Sequence, residues 1–251
     1  MKIARYEHGS QTSLGSIEGD QVYPITGELF GEHQVGKQAT PLKDVRLLAP
    51  LRPPKIIAVG LNYRSHLGDR PGAAEPGMFL KPPTSVIGPE AAIVVPRSAS
   101  PVHYEGELVV VIGKRTRHVS REDAMACVFG YTCGNDVSER GWQRSDLQWF
   151  RAKGSDTFSP LGPWIVTNIK DPAKLELTTR LNGEVRQQTT IEMMIHDIPR
   201  VISYASEFMT LEPGDLIYTG TPGQTQPMQP GDIVEVEISE IGVLRNPVVA
   251  E

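Results

Sequence analysis

The sequence predicts a mixed α+β fold that is rich in β-structure and begins with a small N-terminal domain. Gly and Pro account for 24 and 21 of the 251 residues and divide the chain into many short elements. Short strand-like runs lie between these breaks, and one segment near residue 200 has helical periodicity. Pro50, Pro53 and Pro54 form a stiff linker. We therefore predict a small domain of residues 1–52 and a larger domain of residues 53–251.

The predicted elements follow in chain order. Strands are expected over the apolar or alternating runs Lys55–Val59, Met78–Lys81, Ala92–Val95 and His103–Ile112, and in a run that ends at Asp136. A short helix is predicted near Arg121–Val128, and another is predicted to open at Ser138. The Asn182-Gly183 pair predicts a hairpin within Leu175–Gln187. Apolar residues at helical spacing predict an amphipathic helix over Asp197–Met209.

Loops and turns are predicted between these elements. Two Pro-Gly pairs, at 213–214 and 230–231, suit type II turns that lead into strands. Residues 150–163 are expected to form a loop that contains Lys153. The polar, Gly-hinged segment Asn62–Pro76 is open to two interpretations: it is a lid over a site or a plain surface connection.

Composition excludes several classes of protein. Apolar residues make up 39% and charged residues 22% of the chain, as in ordinary soluble globular proteins. The formal net charge is −5, so nucleic acid is not expected as a partner. No apolar run approaches the roughly 20 residues of a membrane helix, and the first residues do not resemble a signal peptide. Cys127 and Cys133 match no zinc spacing, so we expect buried thiols and a cytoplasmic protein.

The stretch from His103 to Gly113 carries the strongest chemical signal. If it is a strand, Glu105 and Glu107 lie on one face, about 7 Å apart, beside a run of aliphatic residues. Two carboxylates in such a place repel each other and cost desolvation energy. Basic side chains, protons or a cation must therefore neutralise them.

Asp136 favours the cation. It ends another mostly apolar run, and three carboxylates without a nearby His/Cys pattern are typical of a Mg²⁺ or Mn²⁺ site. The alternative is an exposed Glu-x-Glu edge and an Asp that caps the next helix.

Further polar residues follow these acids. Asp136, Arg140 and Gln143 are spaced to share one face of a helix or helix entry. The Gly-flanked turn at Gly220 and Thr221 can offer backbone N–H groups to an anion. Each also has a plain interpretation: Arg140 as a surface cation, Gln143 as an ordinary polar residue of a helix, and the turn at Gly220 and Thr221 as a simple β-turn.

Several motifs, in order, resemble the fumarylacetoacetate hydrolase family over about Pro53 to Val249. They are Val59-Gly-Leu-Asn-Tyr-Arg-Ser-His66, Phe79-Leu-Lys-Pro-Pro83, His103-Tyr-Glu-Gly-Glu-Leu108, Gly134-Asn-Asp-Val-Ser138, Ala152-Lys-Gly-Ser-Asp-Thr-Phe158 and Thr219-Gly-Thr-Pro222.

The resemblance implies a β-roll catalytic domain, usually in a homodimer, with Mg²⁺ or Mn²⁺ as the cofactor. It places the metal on Glu105, Glu107 and Asp136. By the same resemblance, the residues matching the substrate site are Arg140, Gln143, Gly220 and Thr221, and those matching catalytic positions are His66 and Lys153. Asp69 stands where one branch of the family pairs a glutamate with the lid histidine, so we expect Asp69 to hold His66.

Three functions fit these residues. We expect a metal-dependent hydrolase or decarboxylase of acylpyruvate-type and other 2-oxo acids, which would act through a metal-stabilised enolate. The alternative is an isomerase or tautomerase of the 2-hydroxyhepta-2,4-diene-1,7-dioate type, as in aromatic catabolism. A non-catalytic module in which the acids hold a structural cation is the third possibility.

Overall fold

The first 50 residues form an antiparallel meander. In the computed structural model, which describes residues 1–69 and 71–251, this region contains the strands β1 (Lys2–His8), β2 (Gln11–Glu18), β3 (Gln21–Gly27), β4 (His33–Val35), β5 (Thr40–Pro41) and β6 (Arg46–Leu48). A 3₁₀ turn over Leu42–Asp44 separates the last two. Strand β1 pairs with β2 along its full length and with β6 on its other side.

The central part of the chain alternates short strands with short helices. Its elements are β7 (Ile56–Gly60), α1 (Arg64–Leu67), β8 (Gly77–Lys81), β9 (Val86–Ile87), β10 (Ile93–Val95), β11 (Val102–His103), β12 (Gly106–Ile112), β13 (Val128–Asn135), β14 (Ser138–Glu139), α2 (Arg140–Ser145) and α3 (Phe150–Gly154). Shorter 3₁₀ turns span Pro83–Ser85 and Ala124–Cys127.

The last third is mainly strand. It comprises β15 (Ser159–Val166), β16 (Glu176–Leu181), β17 (Glu184–Thr190), α4 (Ile198–Phe208), β18 (Leu216–Tyr218), β19 (Pro227–Met228), β20 (Ile233–Ile238) and β21 (Gly242–Ala250), with 3₁₀ turns at Pro172–Lys174 and Ile191–Met193. Asn182 and Gly183, both at positive φ, turn β16 into β17 as predicted.

These strands form three sheets. The largest has thirteen strands in the order β4-β3-β2-β1-β15-β13-β12-β18-β7-β8, with β5, β6 and β9 attached at its sides. A five-stranded sheet has the order β10-β21-β20-β16-β17, and a small sheet joins β14, β11 and β19. Because β1 pairs with β15, the N-terminal strands continue the same sheet as the central ones. The predicted boundary between residues 52 and 53 stays a prediction.

The core lies on both faces of the central strand β12, which is buried throughout. One face, with Val110 and Ile112, packs against the five-stranded sheet and the apolar side of α4. The other face, with Val109 and Val111, packs against apolar residues of β7, β15 and β18. The amphipathic helix predicted over Asp197–Met209 is therefore confirmed as α4, which Asp197 caps.

Strand pairing explains where polar side chains collect. Strand β12 is antiparallel to both β13 and β18, so the start of β12 meets the ends of its two neighbours. Strand β7 is parallel to β18 and ends at the same edge. The residues that follow β7, β13 and β18 therefore lie beside those that begin β12.

Three sequence-based element predictions were wrong. The helix expected near Arg121–Val128 is only a 3₁₀ turn, because its four residues, Ala124–Cys127, lead straight into β13. Ser138 lies in β14, and α2 starts two residues later with Glu139 as its cap. Of residues 150–163, only 155–158 form a loop, because Lys153 lies in the helix α3 and Ser159 already begins β15.

The run predicted as one strand over His103–Ile112 is divided. Tyr104 and Glu105 separate β11 from β12, so Glu105 precedes the strand that contains Glu107.

Cys127 and Cys133 are both free and buried. Across residues 1–69 and 71–251, no helix has both the length and the apolar character needed to cross a membrane.

Candidate active site

Three carboxylates meet at the edge where β12 begins and β13 ends. One oxygen from each of Glu105, Glu107 and Asp136 lies within 4.8 Å of the others, and all three side chains are buried. Local backbone contacts fix this arrangement: the N–H of Asp136 donates to the Glu105 carbonyl at 2.8 Å, and the Asn135 side chain accepts from the Glu105 N–H at 2.8 Å. The structure thus brings together the three acids that the sequence singled out.

Buried cations surround these acids. Lys153, on α3, donates at 2.6 Å both to Oε2 of Glu105 and to Oδ2 of Asp136. Lys81, at the end of β8, donates to the other oxygen of Asp136 and, at 2.8 Å, to the carbonyl of Phe158. Burial opposes the charge of both lysines. At Lys153, attraction to the Asp136 and Glu105 carboxylates outweighs the effect of burial, so the pKa is raised. At Lys81 the effect of burial is larger than that of Asp136, so the pKa is lowered.

Glu105 and Glu107 differ in electrostatic surroundings. Burial opposes ionisation of both, but Lys153 and Arg140 outweigh it at Glu105 and lower the pKa of that carboxyl. Burial together with the charges of Asp136 and Glu105 raises the pKa of Glu107 well above its usual range. The N–H of Gly220 donates to Oε2 of Glu107 at 2.7 Å. Within the part of the chain that the structure describes, the other oxygen of Glu107 receives no hydrogen bond.

This donor set fits a divalent cation. Three buried carboxylates are the hard oxygen ligands that Mg²⁺ and Mn²⁺ prefer. A cation beside Glu107 would also supply the partner that its second oxygen lacks. It would offset the cost of burial and the repulsion from Asp136 and Glu105, which together raise the pKa of Glu107.

Arg140 connects the acids with the Thr219–Thr225 segment. Its guanidinium donates at 2.6 Å to Oε1 of Glu105, at 2.6 Å to Oγ1 of Thr225 and at 2.7 Å to Oε1 of Gln143. Arg140 and Gln143 share a face of α2, as the spacing predicted, but Asp136 lies before the helix.

The turn at Gly220 and Thr221 also lies at this edge. Gly220 has a φ of 102°, which suits glycine, and a Cβ there would meet Asn62 at 2.7 Å. The hydroxyl of Thr221 donates to the Gly106 carbonyl at 2.9 Å and accepts from Nε2 of Gln187 at 2.9 Å. The Gly220 N–H and the Thr221 hydroxyl are therefore occupied by protein groups.

His66 reaches the acids from α1. Its Nδ1 lies 2.5 Å from the carbonyl oxygen of Gly223, and its Nε2 lies 4.0 Å from Oε1 of Glu105. A carbonyl oxygen only accepts, so the neutral ring carries its proton on Nδ1 and leaves a lone pair on Nε2.

The structure does not bring Asp69 to His66, contrary to the expected pairing. Gly68 ends α1 with φ 60° and ψ −132°, and Asp69 after it is exposed. Across the described residues, no hydrogen bond or ion pair joins Asp69 to His66. The carbonyl of Gly223, rather than Asp69, lies beside Nδ1 of His66.

A cavity of about 500 Å³ opens onto these groups. Seven of the ten predicted site residues line it, namely His66, Glu105, Glu107, Arg140, Gln143, Lys153 and Thr221. Phe79 and Trp149, whose ring centroids are 5.1 Å apart, form an aromatic wall.

Sequence reasoning missed Lys81, Thr225 and Gln187. Lys81 ends an otherwise apolar strand and belongs to a family-like motif, so a signal was present. Thr225 and Gln187 gave no such signal, because their contacts depend on segments far apart in the chain.

The fold and this charged cavity define a class of protein that processes small molecules. Residues 55–249 match the family model described as fumarylacetoacetate (FAA) hydrolase C-terminal, and residues 1–50 match that described as Rv2993c-like, N-terminal. The chain therefore belongs to the fumarylacetoacetate hydrolase family, whose members include isomerases, hydrolases and tautomerases. The expected family and its β-rich fold are confirmed.

Two curated relatives illustrate the range of this family. Protein Rv2993c of Mycobacterium tuberculosis is 47% identical over 260 residues, which cover 99% of this chain and 98% of the relative. Oxaloacetate tautomerase FAHD2A of Bos taurus, a mitochondrial protein, is 42% identical over 223 residues, covering 83% of this chain and 71% of the relative.

Two solved structures match over the full length of this chain. The 5-carboxymethyl-2-hydroxymuconate delta-isomerase of Mycobacterium smegmatis has a TM-score of 0.94 and 46% identity, with complete coverage of both chains. Maleylpyruvate hydrolase of Sphingobium sp. SYK-6, in complex with manganese(II) and pyruvate, has a TM-score of 0.85 and 35% identity, covering 99% of that chain.

Proposed function

We propose that this protein is a divalent-metal-dependent enzyme that forms an enolate from 2-oxo acids and uses it to isomerise or tautomerise them. The observation that carries the proposal is the buried cluster of Glu105, Glu107 and Asp136, whose two glutamates line the cavity. The names of the relatives support it, since they include a 5-carboxymethyl-2-hydroxymuconate isomerase, an oxaloacetate tautomerase and a maleylpyruvate hydrolase.

Glu105, Glu107 and Asp136 would hold Mg²⁺ or Mn²⁺. When bound, such an ion supplies Lewis-acid stabilisation of the negative charge that develops on the oxo oxygen. The crystal structure of the Sphingobium hydrolase with manganese(II) and pyruvate supports this cofactor class.

Lys153 and Arg140 would complement the same negative charge. Because the pKa of Lys153 is raised, its ammonium group stays protonated and remains a hydrogen-bond donor beside the acids. A well-placed donor in a water-poor site commonly contributes about 3–4 kcal/mol to transition-state stabilisation. Arg140, held by Glu105 and Gln143, would position the substrate carboxylate.

The turn at Gly220 and Thr221 would bind this carboxylate through its backbone. The Thr221 hydroxyl and the Gly220 N–H already donate to Gly106 and Glu107. The N–H of Thr221 has no partner within the described residues, so we assign the contact to that group.

His66 would move the proton. Its Nε2 lone pair faces the cavity, so it can take a proton from the carbon next to the oxo group and return it at another atom of the enolate. Proton transfer of this kind requires only a base with a fixed orientation. The Gly223 carbonyl orients the His66 ring, so Asp69 is not required.

Hydrolysis or decarboxylation is the second candidate. The same base could activate water for C–C cleavage, and the Sphingobium relative is named as a hydrolase. The backbone carbonyl beside His66 supports this reaction less well than isomerisation, because a carboxylate would stabilise the imidazolium ion more strongly than a neutral carbonyl does.

Product analysis tests the proposal. Purified protein with Mg²⁺ or Mn²⁺ is mixed with the enol form of oxaloacetate and with acylpyruvates, and enol absorbance, pyruvate and carbon dioxide are followed together. We expect faster loss of the enol without cleavage, and loss of that acceleration with EDTA. Pyruvate or carbon dioxide formed at the same rate would favour the second candidate. No reaction and no metal-dependent binding of oxalate would contradict both and favour a structural cation.

A further inference from the structure

Arg144 is a cation in the cavity without a partner. It lies on α2 and lines the cavity with an exposed side chain. Across residues 1–69 and 71–251, no carboxylate or carbonyl oxygen accepts a hydrogen bond from its guanidinium. An arginine that faces a concave site without an acidic neighbour is free to bind an anionic ligand.

The other arginine and lysine side chains that line the cavity, Arg140 and Lys153, are already paired. Arg140 and Lys153 both donate to Glu105, and Lys153 also donates to Asp136. With Glu107 and Lys81 included, three carboxylates face three paired cations, and their formal charges cancel. Arg144 therefore adds an uncompensated positive charge, even before a divalent cation is counted.

The position of Arg144 on the helix sets it apart from the metal cluster. It follows Arg140 by four residues, and residues at this spacing lie on the same helix face with Cβ atoms about 5–6 Å apart. Arg140 is directed to Glu105, while Arg144 lies one helical turn farther along the cavity wall. The Phe79 and Trp149 rings provide an apolar surface elsewhere in the same cavity.

We infer that Arg144 binds a second carboxylate, so that the preferred substrates are 2-oxo dicarboxylates. This inference rests on the proposed function: the 2-oxo acid end lies at the metal cluster, and the far carboxylate pairs with the Arg144 guanidinium. Planar guanidinium and carboxylate groups can form two parallel hydrogen bonds, which gives specificity as well as affinity.

The test compares ligands that differ only at the far end. Isothermal titration of Mn²⁺-loaded protein is carried out with 2-oxoglutarate against 2-oxopentanoate, and with 2-oxoadipate against 2-oxohexanoate. For at least one pair, we expect the diacid to bind about tenfold more tightly than the monoacid, as expected for a charge-assisted contact of about 1.4 kcal/mol. In Arg144→Gln, this ratio should fall to about one while monoacid binding is unchanged.

The control and the contrary outcomes separate this inference from the proposed function. Arg115→Gln removes a cation that is paired with Glu212 at the surface and should leave the ratio unchanged. Equal binding of diacid and monoacid to the wild type, or the same preference in Arg144→Gln, would overturn the role of Arg144 alone. Failure of all four acids and of oxalate to bind the Mn²⁺-loaded protein would overturn the proposed function as well.

Discussion

Glu107 shows how single residues define this site. Burial, together with the charges of Asp136 and Glu105, raises its pKa, and only the Gly220 N–H donates to it within the described residues. Glu105 and Asp136, in contrast, each accept from two cations. The sequence showed that the acids required neutralisation, but it could not show that basic side chains pair with Glu105 and Asp136 while Glu107 pairs with none within the described residues.

His66 and Asp69 provide a test at the scale of residues. Because Nε2 of His66 faces the cavity and Asp69 is exposed, we expect His66→Ala to lower turnover by about 10²–10⁴. Asp69→Ala should retain turnover within about threefold, since it removes no contact to His66. Steady-state kinetics with saturating Mn²⁺ measure both variants.

Equal losses in the two variants would contradict this assignment. They would show that Asp69 supports His66 during turnover, as the sequence analysis expected. Bound Mn²⁺, measured in parallel, confirms that neither variant has lost its metal.

At the scale of elements, strands were easier to predict than short helices. The buried run of β7, the Asn-Gly hairpin and the amphipathic helix α4 each have a clear periodicity or turn signal. Helix α3 has five residues, too few for a periodic pattern, so Lys153 was expected in a loop. Helix α2 begins at a Glu cap, which is less typical than the nearby Ser138.

The contact between β12 and β16 holds in place the strand that contains Glu107. Gly106 lies between the two glutamates, and a Cβ at this position would lie 2.0 Å from Oγ1 of Thr179 on the facing sheet. Gln187 on β17 bonds both to the Gly106 N–H and to the turn at Thr221 and Pro222. The five-stranded sheet therefore supports the site although none of its side chains lies among the acids.

Substitution of Gly106 tests this packing. Gly106→Ala should lower the free energy of unfolding by about 1–3 kcal/mol, because the new methyl group overlaps with Thr179. Thr179→Ala alone should change stability by less than about 1 kcal/mol, since its buried hydroxyl has no hydrogen-bond partner. Urea denaturation measures both effects.

The double variant is the matched control. Gly106→Ala with Thr179→Ala should recover most of the lost stability, because the overlapping oxygen is absent. A purely additive loss would show that the two residues are not in contact, in contradiction to the structure.

At the scale of the whole molecule, the site exists because antiparallel neighbours bring distant segments to one sheet edge. Glu107, Asp136 and Gly220 are far apart in sequence but adjacent here, because β12 pairs with both β13 and β18. The family-like motifs predicted that these residues belong together. They could not reveal Arg144 or Thr225, because one depends on the shape of the cavity and the other on a contact with Arg140, which is distant in sequence.

The predicted homodimer also belongs to this scale. Several large apolar side chains are exposed in the chain, including Leu147 at 96% and Phe150 at 79%. We expect a second copy to cover part of this surface. Light scattering coupled to size-exclusion chromatography should give about twice the 27.6 kDa of one chain. A mass equal to one chain across the micromolar range would contradict the dimer.

The central claim is that Glu105, Glu107 and Asp136 together hold one divalent cation that serves 2-oxo acid chemistry. Anomalous scattering from a crystal soaked with Mn²⁺ and oxalate tests it most directly. The account predicts one strong peak in contact with all three carboxylates and with oxalate. A crystal with no peak there, or with Mn²⁺ bound only elsewhere on the protein, would contradict it.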